Sequence, residues 1–272
     1  MKIIRQKKDL YKLINKINSF SFIPTMGGLH KGHELLIKRA QKKNKNTLVT
    51  IFVNPKQFNS KNDFNTYPRN LRKDVKFLKN LNVKYLYCPS YNDIFSFKTK
   101  NNIYIHPFSK KLCGKYRPGH FRGVLDVINR FLELLNPKYM CLGKKDFQQL
   151  ILIKKHMQKN KINTSVISCK TLRDQNLLPY SSRNMNLGKY DKILASKVFS
   201  LIKKEKLNIK KKRSKKINLS NIKKKINNLG VKKIDYIEPI NLLSLKKAKK
   251  FDENFNIFSA FYIGKVRLID NF

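Results

Sequence analysis

The chain has 272 residues, 41% of them apolar, and a formal net charge of +45 at pH 7. That length holds one large or two modest domains with a real core, and that apolar share excludes a disordered chain. The charge by itself would fit a nucleic-acid binder, but the lysines run through almost every segment and asparagine is abundant beside them, which points to codon bias toward A and T rather than to one basic face.

Residues 2–18 read as a strand tip and a short amphipathic helix. The opening Met1-Lys-Ile-Ile-Arg5 lacks the apolar core of a signal peptide, and no apolar run approaches the length of a membrane span. The cysteines (Cys88, Cys113, Cys141, Cys169) are far apart with no Cys-x-x-Cys, and Cys88 and Cys141 end apolar runs as reduced core residues would. A cytoplasmic chain with no membrane partner is expected.

A strand at 20–24 leads into Met26-Gly-Gly-Leu-His-Lys-Gly-His33, and a helical pattern near 33–43 comes next with Leu35, Leu36, Ile37 and Ala40. This strand, glycine turn and helix place His30 and His33 at a helix N-terminus. Unpaired N–H groups and the positive end of the helix dipole make that a site for phosphate. Gly27, Gly28 and Gly32 would let a bulky ligand approach the main chain. One histidine here could be structural; two spaced His-x-Gly-His favour phosphate chemistry. Gly-x-Gly-x-x-Gly is absent and no Gly-Lys-Ser/Thr follows, so this is neither a dinucleotide fingerprint nor a P-loop.

The near-continuous apolar run at 47–53 suits a strand buried on both faces, and it ends in Asn54-Pro-Lys-Gln57. A polar loop at 59–68 precedes a helix over 69–81, with Leu71, Val75, Leu78 and Leu81 on one face, and a strand at 83–88. Residues 89–120 read as irregular, with one short strand at 102–106 and a turn-rich loop at 113–120. Beyond it come a helix at 121–135, a strand at 138–142 ending in Gly143-Lys-Lys-Asp146, a helix from 147 and a strand at 164–168. This alternation predicts an α/β, Rossmann-like open parallel sheet with right-handed crossovers.

The loop 171–184 reads as a boundary, dividing a catalytic domain, 1–175, from a small C-terminal α+β domain, 176–272. In the latter, helices near 189–205 and 219–228 precede strands at 233–238, 255–263 and 265–269. The run Lys210–Lys216 reads as a solvated helix face or loop.

Ligands of open parallel sheets bind beyond the carboxyl ends of the strands. Three strand ends here are unusually polar: the His30/His33 turn, Asn54 to Gln57, and Gly143 to Asp146 with Gln149. Neighbouring strands would bring them together, and Ser181, Ser182 and Arg183 form a fourth polar turn. Each has a structural alternative. Asn54-Pro starts turns, Asp146 with Gln149 can be a capping box, Ser181 and Ser182 can cap a helix, and Arg183 can lie on the surface. His106, His120 and His156 are isolated and read as structural, and no metal-ligand cluster is visible.

Seven ordered blocks resemble the pantothenate synthetase (pantoate–β-alanine ligase) family. They are Ile23-Pro-Thr-Met-Gly-Gly-Leu-His-Lys-Gly-His33, Ile51-Phe-Val-Asn-Pro-Lys-Gln-Phe58, Tyr67-Pro-Arg69, Tyr116-Arg-Pro-Gly-His-Phe-Arg-Gly-Val124, Gly143-Lys-Lys-Asp-Phe-Gln-Gln149, Ser181-Ser-Arg-Asn184 and Arg267-Leu-Ile-Asp-Asn271. The His-x-Gly-His turn alone resembles the wider nucleotidyltransferase superfamily. The resemblance implies two-step, ATP-dependent amide formation. The pantoate carboxylate attacks the α-phosphorus of ATP, giving pantoyl adenylate and diphosphate; the amine of β-alanine then displaces AMP. It also implies Mg2+ with ATP, no tightly bound organic cofactor, and a homodimer.

By the same resemblance His33, His30, Lys145 and Arg183 are catalytic, His33 as a proton donor. The ATP contacts would be Met26, Gly27, Gly28, Leu29, His30, Lys31, Gly32, His33, Gly143, Lys144, Lys145, Asp146, Leu172, Tyr180, Ser181, Ser182 and Arg183. Gln57, Gln149 and Asn54 would hold pantoate and β-alanine through neutral amides, and the C-terminal domain would act as a lid that excludes water. Two other readings compete: a different nucleotidyltransferase of the same superfamily, and a basic nucleic-acid binder. The neutral amides at 54, 57 and 149 argue against the first, and the diffuse lysines against the second.

The chain departs from the family pattern in places. Lys31 and Lys144 stand where acidic residues are common, Asn176-Leu177 replaces Asp-Gly, and Pro179-Tyr180 replaces Ala-Leu. The two lysines add positive charge beside the phosphate site. ATP should therefore bind more tightly than to Lys31→Glu/Lys144→Glu, and affinity should fall steeply as salt shortens the screening length toward about 8 Å at 0.15 M. Titration of ATP at a series of NaCl concentrations checks this; an affinity independent of ionic strength overturns it.

Overall fold

The alternating pattern of the first two-thirds of the chain folds as one sheet in the computed structural model, which describes residues 1–213, 217–248 and 254–272. The chain divides into two units, Met1–Thr171 and Leu172–Phe272. In the first, the strands are β1 (Lys2–Ile4), β2 (Ser21–Thr25), β3 (Thr47–Ile51), β4 (Tyr85–Tyr87), β5 (Tyr139–Gly143) and β6 (Ser165–Cys169). Its helices are α1 (Lys7–Ile14), α2 (Lys31–Lys43), α3 (Lys61–Asn65), α4 (Leu71–Asn80), α5 (Tyr91–Phe95), α6 (Cys113–Tyr116), α7 (His120–Leu135) and α8 (Phe147–Lys159).

The strand order is β1-β4-β3-β2-β5-β6 and every pairing is parallel. The chain winds outward from β2 in both directions, so the order reverses between β2 and β5. That switch point is where the carboxyl ends of a parallel sheet leave a crevice. The three polar strand ends belong to β3, β2 and β5, which are adjacent.

Both faces of the sheet are covered, which is why its strands are apolar throughout rather than alternating. Ile23, Val49, Leu86 and Cys141 pack with Ile37 and Ala40 of α2 and Leu78 of α4. On the other face Phe22 meets Phe131 of α7, with ring centroids 5.6 Å apart. All four cysteines are free thiols, and Cys113, Cys141 and Cys169 are buried.

The strand expected at 102–106 is absent. Tyr104 N–H donates to His156 Nδ1 at 3.2 Å, and His106 Nδ1 accepts from Phe108 N–H at the start of a 3-10 turn, Pro107–Lys110. Side-chain acceptors thus take main-chain donors that a neighbouring strand would have used. The loops expected at 59–68 and 113–120 contain α3 and α6, helices of 5 and 4 residues that are too short to show a period.

The second unit holds α9 (Lys189–Lys211), α10 (Leu219–Asn228), β7 (Lys233–Asn241), β8 (Phe255–Ile263) and β9 (Val266–Asn271). The strands form an antiparallel sheet in sequence order. Val198, Phe199 and Ile202 of α9 and Ile222 and Ile226 of α10 share one core with Ile237, Ile257 and Phe261. This is the α+β arrangement expected. Of the run Lys210–Lys216, Lys210 and Lys211 end α9, whereas 214–216 lie outside the described residues.

Turn and helix come unusually close beside the polar end of β3. The 3-10 turn Pro55–Gln57, which ends β3, lies against α7 at Gly123. A Cβ at Gly123 would sit 2.1 Å from the Lys56 carbonyl oxygen and 2.9 Å from Gln57 N. Gly123→Ala should therefore destabilise the unit by about 1–3 kcal/mol through forced separation of turn and helix. Urea unfolding midpoints of the two proteins measure it; equal midpoints would contradict the close packing.

Candidate active site

The turn after β2 is built by a carboxylate from elsewhere. Gly27 and Gly28 take φ of 80° and 62°, which swings the Gly28 and Leu29 N–H groups toward α4. There Asp74 Oδ2 accepts from Gly28 N–H at 2.9 Å and Oδ1 from Leu29 N–H at 2.8 Å. A Cβ on Gly27 would meet Asp74 Oδ2 at 2.9 Å. Asp74 is buried, and burial pushes its pKa up against the pull of the two donors.

The turn delivers His30 to the N-cap of α2. His30 Nδ1 accepts from Gly32 N–H at 3.1 Å, and His33 Nδ1 accepts from His30 N–H at 3.3 Å. This is a capping box made of two imidazoles, whose ring centroids are 4.0 Å apart. Because Nδ1 of each ring is an acceptor, the neutral ring carries its proton on Nε2. Burial, then His33 and Lys145, lower the His30 pKa to about 2. Burial and Lys145, partly offset by Asp146, lower His33 to about 4. At neutral pH both rings are uncharged Nε2–H donors.

The neighbouring strand ends meet this turn. Gln57 reaches back from the end of β3, its side-chain amide against Met26 Sδ. Asn54 is almost fully buried; its side chain accepts from Lys56 N–H at 3.1 Å and donates to Gly123 O at 3.1 Å and to Gln57 Oε1 at 3.3 Å. So Asn54 does start the turn, and it also holds Gln57. From the end of β5, Lys145 and Asp146 pair at 3.1 Å and impose their charges on the histidines. Asp146 precedes α8 but makes no capping hydrogen bond, so the capping-box alternative for Asp146 and Gln149 is not what the structure holds. Gln149 is half-buried in the first turn of α8. Lys31 and Lys144 are exposed.

In the second unit, Leu172 O accepts from Tyr180 N–H at 3.1 Å, closing a hairpin. Ser181 Oγ accepts from Arg183 N–H at 3.3 Å and caps the 3-10 turn Ser182–Asn186 rather than the helix after it. Ser182 is buried and Arg183 half-buried.

Asp74 was not anticipated, nor were the groups that fasten Gln57. The Gln57 carbonyl oxygen accepts from Arg117 Nη2 at 3.1 Å and lies 2.6 Å from His120 Nδ1. A signal for Asp74 exists: it lies three residues after Leu71 and four before Leu78, within the apolar stripe of α4, where a carboxylate needs a partner. His156 is buried as a structural residue, between Asn129 and Tyr104.

The sequence matches the profile of the family Pantoate-beta-alanine ligase over residues 2–272. Pantothenate synthetase of Francisella tularensis subsp. novicida is 40% identical over 272 residues, covering 99% of this chain and 95% of the relative. The crystal structure of pantoate-beta-alanine ligase from Francisella tularensis, complexed with beta-gamma ATP and beta-alanine, superposes with a TM-score of 0.84 at 40% identity and covers 100% of this chain and 97% of that one. Pantothenate synthetase from Thermus thermophilus superposes with a TM-score of 0.90 at 26% identity and covers 100% and 99%. A His-x-Gly-His helix start at the switch point of a parallel sheet defines the class, an α/β protein with an anion-ready helix N-terminus beyond the carboxyl ends of its strands. Within that class, the chain belongs to the pantoate–β-alanine ligase family.

The depressed histidine values set a pH dependence. Unfolded histidines titrate near 6.5 and these two, when folded, far below it, so the unfolded chain takes up protons first as pH falls. Stability is fully present above about 6.5 and is lost progressively as pH falls toward about 4 for His33 and about 2 for His30, by at most about 1.4 kcal/mol per pH unit for each histidine. Urea midpoints at pH 7 and pH 5 should differ more for the wild type than for His33→Gln. An identical difference would mean that His33 is not held neutral.

Proposed function

We propose that the chain joins pantoate to β-alanine in two steps, with ATP as the source of activation and with AMP and diphosphate released. The observation that carries this is the meeting of the β2, β3 and β5 ends: Gln57 against Met26, and Lys145 acting on His30 and His33. A carboxylate is already a nucleophile, so no serine, cysteine or strong base is required. What the reaction needs is alignment of the carboxylate with the α-phosphorus and stabilisation of charge on the phosphate oxygens.

Two neutral Nε2–H donors at a helix N-terminus suit that task. They give hydrogen bonds without presenting a cation that would hold the diphosphate product. His33 in this reading acts as a hydrogen-bond donor to the α-phosphate oxygens as the carboxylate attacks and the bond to the bridging oxygen breaks. Lys145 places one positive charge beside them. Met26 to His33 and Gly143 to Asp146 line the nucleotide, and Leu172, Tyr180, Ser181, Ser182 and Arg183 of the second unit take up its adenosine and phosphates. Mg2+ enters as part of the substrate, with ATP.

Gln57 and Gln149 receive the hydroxyl and carboxylate oxygens of pantoate, and Asn54 lines the same pocket. Amides can both donate and accept, and they do so without attracting a second anion. In the second step the β-alanine amine attacks the adenylate carbonyl carbon, the bond to the AMP oxygen breaks, and AMP leaves with the electron pair. A cytoplasmic homodimer is the form in which we expect this chain to work.

An assay of AMP release should demand both pantoate and β-alanine. His33→Ala should lower kcat by about 100-fold, the size of a lost donor to developing charge. Gln149→Ala should chiefly raise the KM for pantoate. Retained activity in both variants would overturn the site.

A further inference from the structure

The closing block Arg267-Leu-Ile-Asp-Asn271 lies on β9 and has no place in the chemistry above. Its Asp270 side chain is fully buried, and both carboxylate oxygens take the guanidinium of Arg173: Nη2 donates to Oδ1 at 3.0 Å and Nη1 to Oδ2. Arg173 opens the hairpin that leads to Ser181, Ser182 and Arg183. Its Nη1 also donates to the Leu177 carbonyl at 3.2 Å, its Nη2 to the Asn271 carbonyl at 3.3 Å, and its guanidinium lies 4.0 Å over the Phe272 ring. One side chain thus ties the hairpin stem, the hairpin tip and the end of the chain together.

That hairpin needs a tie. Leu177 at its tip takes φ of 68°, a left-handed conformation that glycine adopts readily and leucine does not. Asp174 Oδ1 accepts from Asn176 N–H at 2.9 Å and Leu178 N–H at 3.0 Å, and Asp174 N–H donates to Leu178 O at 3.0 Å. The return strand passes its position on through Pro179, whose carbonyl accepts from Asn184 Nδ2 at 2.9 Å inside the Ser182–Asn186 turn. β9 is itself immobilised: Arg267 Nε donates to Asp235 Oδ2 of β7 at 2.7 Å, and Phe272 and Ile257 exchange main-chain hydrogen bonds of 3.2 and 2.9 Å.

The geometry points to Asp270 and Arg173 as positioning residues for nucleotide binding. They hold the 172–180 hairpin so that Ser181, Ser182 and Arg183 are presented in one fixed arrangement, although neither touches the nucleotide. This rests on the assignment of those three residues to ATP. It assigns the closing block a functional role at the opposite end of the sequence from the His turn.

The test is a double-mutant cycle on the full chain with steady-state kinetics for each substrate. Asp270→Asn should raise the KM for ATP about tenfold, the size of one lost charge-assisted hydrogen bond, with the pantoate KM within twofold of wild type. Arg183→Ala should raise the ATP KM as well, and adding Asp270→Asn to it should raise it little further, because the two act through one loop. An unchanged ATP KM in Arg183→Ala removes the ATP assignment and the inference with it. A raised ATP KM in Arg183→Ala with an unchanged one in Asp270→Asn, or full additivity in the double variant, overturns the inference alone. So does an equal rise of the KM values for ATP and pantoate in Asp270→Asn, which would mark a general loss of structure. If Asp270→Asn does not fold, Arg173→Lys keeps the charge and loses the fork. Amide hydrogen exchange of Leu178 and Tyr180 should then quicken along with the rise in ATP KM, and wild-type values of both overturn the inference.

Discussion

The first unit depends on how the main chain turns from β2 into α2, and a buried carboxylate controls that turn. Asp74 takes the Gly28 and Leu29 N–H groups, one on each oxygen. The cost of burying the charge is partly offset by two charge-assisted hydrogen bonds, although burial still holds the carboxyl above its ordinary pKa. Its effect is to aim the chain so that His30 falls at the N-cap, where the two imidazoles interlock. The glycines at 27 and 28 are required by this geometry: one would push its Cβ into Asp74, and both have positive φ.

The neutrality of the histidines has the same origin in crowding. The chain carries 61 lysines and arginines against 16 acidic residues, so a cationic phosphate site would have been the simple outcome. Instead burial and Lys145 keep both rings uncharged, and the main-chain N–H groups they accept fix the proton on Nε2. Positive charge beside the rings is left to Lys145, whose ammonium is a point charge, while the rings keep directional Nε2–H donors. Division of the two tasks between residue types lets charge and direction be set separately.

Much of this architecture was legible in the residue pattern because its signals are periodic or local. Continuous apolar strands, amphipathic helices and strand-end polar turns each announce themselves within about ten residues, and the parallel order then makes the β3, β2 and β5 ends neighbours. What escaped was non-local. Asp74 acts 46 and 45 residues away in sequence from the N–H groups it accepts, and His120 acts 63 residues away from the Gln57 carbonyl. The strand expected at 102–106 failed for the same reason, since His156 lies 52 residues from the Tyr104 N–H that it captures. Patterns in a window report which face of an element is buried, not which distant side chain will meet a given main-chain group.

Both units then use one device. In the first, a buried aspartate orders a turn with positive φ directly; in the second, a buried aspartate orders the Leu177 turn through Arg173. In each case both carboxylate oxygens are engaged, by two N–H groups of the main chain or by the fork of a guanidinium. An asparagine in either place would offer one acceptor where two are used, and its amide hydrogens would face a donor. A composition rich in lysine and asparagine can therefore spread over surfaces without consequence for the fold, but not into these positions. The scarce carboxylates matter most where a turn must be held in a conformation its own residues do not prefer.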